Sequence, residues 1–166
     1  MTRHIKCPLL LSTIYLVMTW LLVTILWFWT APQTTSPTNE IATRFSRAVE
    51  LQRQEAWEQA AVEYRALLAV APNYAEAQAN FGVVLARLGK PTEAIKAYET
   101  ALRLKPELTP ILLNLGILHY RAGQFEKAAS VLERFIVVAP DHPQARQLLG
   151  VSLVELGRDA EAVIYL

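Results

Sequence analysis

Ala75–Leu108 reads AEAQANFGVVLARLGKPTEAIKAYETALRLKPEL, and the next 34 residues, Thr109–His142, read TPILLNLGILHYRAGQFEKAASVLERFIVVAPDH. Laid over each other, Gly82 falls on Gly116, Gly89 on Gly123, Ala94 on Ala128 and Pro106 on Pro140. The register extends both ways. Ala48 and Gly150 join the first glycine column, Gly157 joins the second, Ala60 and Ala162 join the alanines, and Pro72 joins the prolines. Leu51, Leu85, His119 and Leu153 form a further column, and Tyr64, Tyr98, Leu132 and Leu166 another. Self-similarity at one fixed period marks a stack of identical supersecondary units.

The second unit predicts two helices. Tyr74–Leu88 places Phe81, Val84, Leu85 and Leu88 on one stripe, and Gly89 follows where a left-handed C-cap is wanted. Thr92–Leu104 carries Ala94, Ile95, Tyr98, Ala101 and Leu102, and a proline ends the unit. Glycine or alanine where two helices cross lets their axes approach toward the low end of about 8–10 Å.

This pattern resembles the tetratricopeptide repeat, whose signature has small residues, an alanine, an aromatic and a closing proline at these offsets. The units are 41–74, 75–108 and 109–142, with 143–166 a fourth cut off within its second helix. The expectation is an all-α, right-handed helix-pair solenoid of about 3.5 repeats over 41–166. Some positions depart from the pattern. Arg44, Gln78, Leu112 and Arg146 stand where the family often has tryptophan, Arg47 replaces a leucine, and Glu55 replaces the turn glycine. The last two departures fall in the first unit, as expected of a terminal repeat facing solvent.

The resemblance implies a concave face, lined by the first helices, on which a partner's peptide lies. The groove-facing columns are Val49, Val83, Ile117 and Val151, then Asn80 and Asn114, then Arg53, Arg87 and Arg121. An apolar floor edged by amides and a basic ladder suits a peptide with apolar anchors and carboxylates. The same positions also serve packing and solubility in this family. Phe45 and Val49 stand where a carboxylate clamp would need lysine and asparagine, which argues against that specialised activity.

The chain is 53% hydrophobic and 19% charged, greasier than an ordinary soluble domain. The excess has a location. No charge lies between Lys6 and Glu40, and within that gap Leu9–Trp29 is 21 residues of which all but Ser12, Thr13, Thr19 and Thr24 are apolar or aromatic. A helix of that length crosses a bilayer core of about 30 Å. Trp27, Phe28 and Trp29 fall where an interfacial aromatic belt sits. The run exceeds an ordinary signal-peptide core, and its one small-residue site ends at Ala31 between bulky Trp29 and Pro32, so an uncleaved anchor is expected. Residues 1–8 then form a short basic cytoplasmic tail, 9–29 the single span, and 30–40, rich in Thr, Ser and Pro, a linker. Arg3 and Lys6 hold the N-terminus in the cytoplasm and put the repeats outside it, in the periplasm if the cell is bacterial.

A net charge of +1 gives no case for nucleic acid, and one cysteine excludes an internal disulfide framework. No Ser or Cys has a His and acid to work with, no glycine loop is placed for phosphate, and no metal set or cofactor motif is present, so no catalysis is expected. His119 reads as a packed helix residue, and Asp141 as the cap of the following helix. Val151, Leu153, Val154, Val163, Ile164 and Leu166 are expected to be only partly covered, an edge that would take another copy, a partner or further repeats. These observations favour a membrane-anchored scaffold that recruits proteins, with envelope assembly or maturation as family analogy. The alternatives are the regulatory arm of a larger enzyme, such as a glycosyltransferase bearing these repeats, and a self-assembling module.

Overall fold

The computed structural model describes residues 37–166, so the basic tail, the expected span at 9–29 and the linker up to residue 36 lie outside the described residues. Among the described residues no helix is long and apolar enough to cross a membrane. They form eight helices and no strand: α1 Pro37–Arg53, α2 Trp57–Val70, α3 Ala75–Arg87, α4 Pro91–Leu104, α5 Pro110–Arg121, α6 Phe125–Val138, α7 Pro143–Glu155 and α8 Asp159–Ala162. The expected helix boundaries hold to within a residue in the second unit. At the N-terminal end they do not. Pro37–Glu40, assigned to the linker, is the first turn of α1. Proline is pre-set for that turn and lacks only an N–H the helix would leave unused, and Glu40 complements the helix dipole there.

Each first helix ends in the same hydrogen-bonded turn. Lys90 N donates to Leu85 O at 2.9 Å and Gly89 N to Ala86 O at 3.2 Å, and the pattern recurs at Gly123 and Gly157. These are Schellman turns, with the three glycines at φ of 69–71°. The first repeat makes the same turn with Glu55, at φ 58° and paying the steric cost that glycine avoids.

The alanine and glycine columns sit where paired helices touch. A Cβ on Gly82 would stand 2.6 Å from the Tyr98 ring, and one on Gly116 2.7 Å from Leu132. Ala48, Ala60, Ala94, Ala128 and Ala162 are buried at the same crossings, while Pro72, Pro106 and Pro140 lie in the loops that separate the repeats. The core forms two clusters. Ala48, Ala60, Ala61, Tyr64, Leu67, Ala77 and Val84 make the first, and the second runs from Ala79 and Leu85 through Tyr98, Leu115 and Leu132 to Ala162. Phe81 packs against both.

At the N-terminal end Arg44 and Arg47 share the Glu63 carboxylate, at 3.5 and 3.2 Å. Phe81, Leu115 and Leu149, the residues in the Arg47 column, instead turn into the core. At the other end, Val154, Val163, Ile164 and Leu166 are exposed, but Leu153 is fully buried, contrary to its expected partial cover. It belongs to the second core cluster. The cap of α7 is also not Asp141. His142 is the N-cap, its Nδ1 accepting from Ala145 N at 3.3 Å.

A candidate peptide-binding groove

Among the first helices α1 touches α3 and α5 touches α7, and each second helix packs against the first helix that follows it. That arrangement gathers α1, α3, α5 and α7 on one side. Val49 is 39% exposed there, and Val83, Ile117 and Val151 are half-buried, one per repeat. They are the residues that the sequence reading proposes for the groove floor.

The basic column is not uniform. Arg53 is held by Glu50 through two bonds, Nη2 to Oε1 at 2.7 Å and Nε to Oε2 at 2.9 Å. With Gln54 adding a third bond, Arg53 holds the Glu50 carboxyl down to about 2. The position of Glu50 is taken by Val84 in the next repeat and Leu118 in the one after. Arg87 and Arg121 therefore have no carboxylate three residues back, and neither makes an ion pair among the described residues. Arg87 lies 5.6 Å over the ring of Trp57, a cation–π contact that orients the guanidinium without neutralising it. Sequence reasoning missed this pair, because nothing local links residues 30 positions apart.

The asparagines have a second duty. Burial pushes the Tyr64 and Tyr98 hydroxyls up to about 12, and hydrogen bonding to Asn80 and Asn114 respectively opposes that shift. Tyr64 also donates to Gln52 Oε1 at 3.0 Å. In the third repeat tyrosine becomes Leu132, and the asparagine column becomes Leu148. Polar is matched with polar and apolar with apolar across each repeat junction. Aromatic pairs frame the groove-bearing helices: Phe45 and Tyr74 have ring centroids 4.9 Å apart, and Tyr120 and Phe125 5.7 Å.

Two family models, both described as tetratricopeptide repeat, match residues 45–108 and 85–149. Among curated proteins, the chain is 40% identical over 65 residues to the photosystem I assembly protein Ycf3 of Acaryochloris marina, covering 37% of this chain and 39% of that protein. It is 32% identical over 77 residues to protein FlbA of Caulobacter vibrioides, covering 46% of this chain and 13% of that protein. The chain thus spans well under half the length of these relatives. Among solved structures, YrrB, described as a TPR protein with an unusual peptide-binding site, superposes with a TM-score of 0.70 at 24% identity, covering 74% of this chain and 63% of that one. The O-GlcNAc transferase of Thermobaculum terrenum gives a TM-score of 0.61 at 26% identity over 73% of this chain and 23% of that one. The two family matches together run unbroken from Phe45 to Leu149, and the chain is a tetratricopeptide repeat protein.

Proposed function

We propose that the chain is a non-enzymatic, membrane-tethered scaffold that captures a protein partner along the groove. The observation that carries this reading is the half-exposed strip Val49–Val83–Ile117–Val151 beside two guanidiniums, Arg87 and Arg121, that no carboxylate among the described residues neutralises. Such a surface takes a peptide that sets apolar side chains on the valines and a carboxylate against each arginine, with the rigid fork of arginine favouring bidentate contact. Arg53, already satisfied by Glu50, contributes least. The name of Ycf3 is that of an assembly protein, in keeping with a scaffold role here.

Tethering rests on the uncharged run Leu9–Trp29, and the flanking Arg3 and Lys6 orient the repeats away from the cytoplasm. A reporter enzyme active only outside the cytoplasm, fused after Leu166, is expected to be active; silence reverses the orientation. For the groove, the test is affinity capture from detergent-solubilised membranes with the intact chain and with the double variant Arg87→Glu, Arg121→Glu. Partner recovery is expected to fall at least tenfold. Equal recovery by both proteins would sink the assignment.

A second reading is the substrate-binding arm of a larger glycosyltransferase, favoured by the 26% identity to a stretch of an O-GlcNAc transferase. It predicts a catalytic segment encoded contiguously with these repeats.

A further inference from the structure

The second helices α4 and α6 flank α5 and leave a cleft of about 490 Å³ between them, floored by Leu102, Leu115 and Val131 and walled by Glu99, His119 and Glu126. Shifting the register by one repeat shows why it opens here. At the junction before it, Arg65 lies over Phe81, its guanidinium 5.9 Å from the ring centroid. One repeat on, Arg65 becomes Glu99, Phe81 becomes Leu115, Lys96 becomes Ser130 and Leu85 becomes His119. The aromatic floor is cut back, and a carboxylate and an imidazole replace an internal cation and a leucine.

His119 is only 2% exposed. Its Nδ1 lies 2.8 Å from Gln124 Oε1, and since a carboxamide oxygen only accepts, Nδ1 carries the proton. Nε2 is left with a lone pair, 3.8 Å from Glu99 Oε1, which is too long for a hydrogen bond and is itself an acceptor. No side-chain nitrogen or oxygen among the described residues is both buried and without a partner, so Nε2 is the one edge of this buried ring that opens to the cleft. Two acceptors at that separation match a nitrogen with two or more N–H groups, which would sit about 2.9 Å from each. The apolar floor fits an aliphatic stem behind such a head. Three cations, Arg103, Lys127 and Arg134, also line the cleft, and all three are exposed to solvent. Arg134 donates to Pro106 O at 3.2 Å.

We propose that this cleft binds an alkyl-ammonium or guanidinium group on an aliphatic stem, its nitrogen donating to His119 Nε2 and the Glu99 carboxylate. The site is distinct from the groove and does not depend on it. The test titrates the full chain with n-butylammonium, n-butanol and tetramethylammonium while following the His119 imidazole by NMR. Saturable shifts are expected with butylammonium only, because butanol lacks the charge and the quaternary ion lacks N–H. Glu99→Gln is expected to weaken binding at least tenfold. Leu115→Phe, which copies Phe81, is expected to abolish it. His119→Leu copies the other repeats, so it is expected to lose binding while the unfolding midpoint holds or rises. Nα-acetyl-lysine methylamide binding more tightly than butylammonium identifies a partner's side chain as the occupant, and weaker binding identifies a free amine. Butanol shifting the imidazole as butylammonium does, or Glu99→Gln and His119→Leu both binding unchanged, overturns the proposal; the first of these variants changes a half-exposed side chain and keeps the test valid should the second not fold.

Discussion

The first and second repeats follow the same backbone path, and four of the aligned positions at which they differ show how. Ala48 stands for Gly82, Glu55 for Gly89, Arg47 for Phe81 and Glu50 for Val84. Two of these exchanges concern what the position touches. Arg47 meets Glu63 and solvent, whereas Phe81 is wedged between Tyr64 and the second core cluster. Glu50 is likewise exposed and holds Arg53, whereas Val84 is buried and leaves Arg87 free to lie on Trp57. The other two concern the backbone itself. The turn at Glu55 keeps the hydrogen bonds of the glycine turns despite its side chain, and Ala48 fits where Gly82 has no room for a methyl group. A repeat thus fixes its trace through hydrogen bonds and crossings, and leaves its outer positions to whatever lies next to them.

Removing the aromatic that fills each crossing should hurt both repeats most. Tyr64→Ala and Tyr98→Ala are each expected to cost about 3–5 kcal/mol in urea unfolding, since both side chains are fully buried. Equal losses would show the two crossings to be energetically equivalent. Exchanging the small residues comes next. Gly82→Ala drives a methyl into Tyr98 and is expected to cost about 1–2 kcal/mol, the overpacking penalty less the gain in helix propensity. A neutral result would show that the Tyr98 ring can shift as Tyr64 does over Ala48. At the turns the sign reverses. Glu55→Gly is expected to stabilise by about 1 kcal/mol and Gly89→Glu to destabilise by 1–2 kcal/mol. A destabilised Glu55→Gly would mean the glutamate makes a contact worth more than its strain.

The smallest effect concerns pH. Glu50 has its folded pKa held at about 2, below the usual value of 4.5, so its contribution is present above pH 4.5 and is lost as the pH falls toward 2. A carboxyl NMR titration should find its midpoint near 2, returning toward the ordinary value in Arg53→Ala. An ordinary midpoint in the unaltered chain would remove the distinction between Arg53 and Arg87.

The helix pairs and the left-handed glycine turns were legible because each rests on residue types recurring at a fixed offset. The start of α1 was not, because Pro37, Thr38 and Asn39 favour a helix's first turn as much as a linker, and only the helix that follows decides between them. His142 as the cap was hidden behind the more usual Asp141 beside it. Val49, Val83, Ile117 and Val151 share one column of the sequence, and each reaches the surface in part. The uneven state of the three arginines depends on Glu50, Val84 and Leu118, one turn back from each, and on Trp57 in another helix. His119 read correctly as a buried helix residue. Its open cleft became visible only when the residues opposite it on α4 and α6 were brought together.

The division of the core at Phe81 bears on how the protein opens. With one apolar cluster made by α1, α2 and the Ala77–Val84 face of α3, and the other running from the Ala79–Leu85 face of α3 on to α8, the first helical hairpin can detach while the remainder stays folded. Native-state hydrogen exchange should then resolve two cooperative units, with amides of α1 and α2 exchanging together and those of α4–α6 exchanging later. They are joined through α3, where Phe81 is the side chain that packs against both, and Phe81→Ala should widen the interval between the two exchange rates rather than melt the whole array.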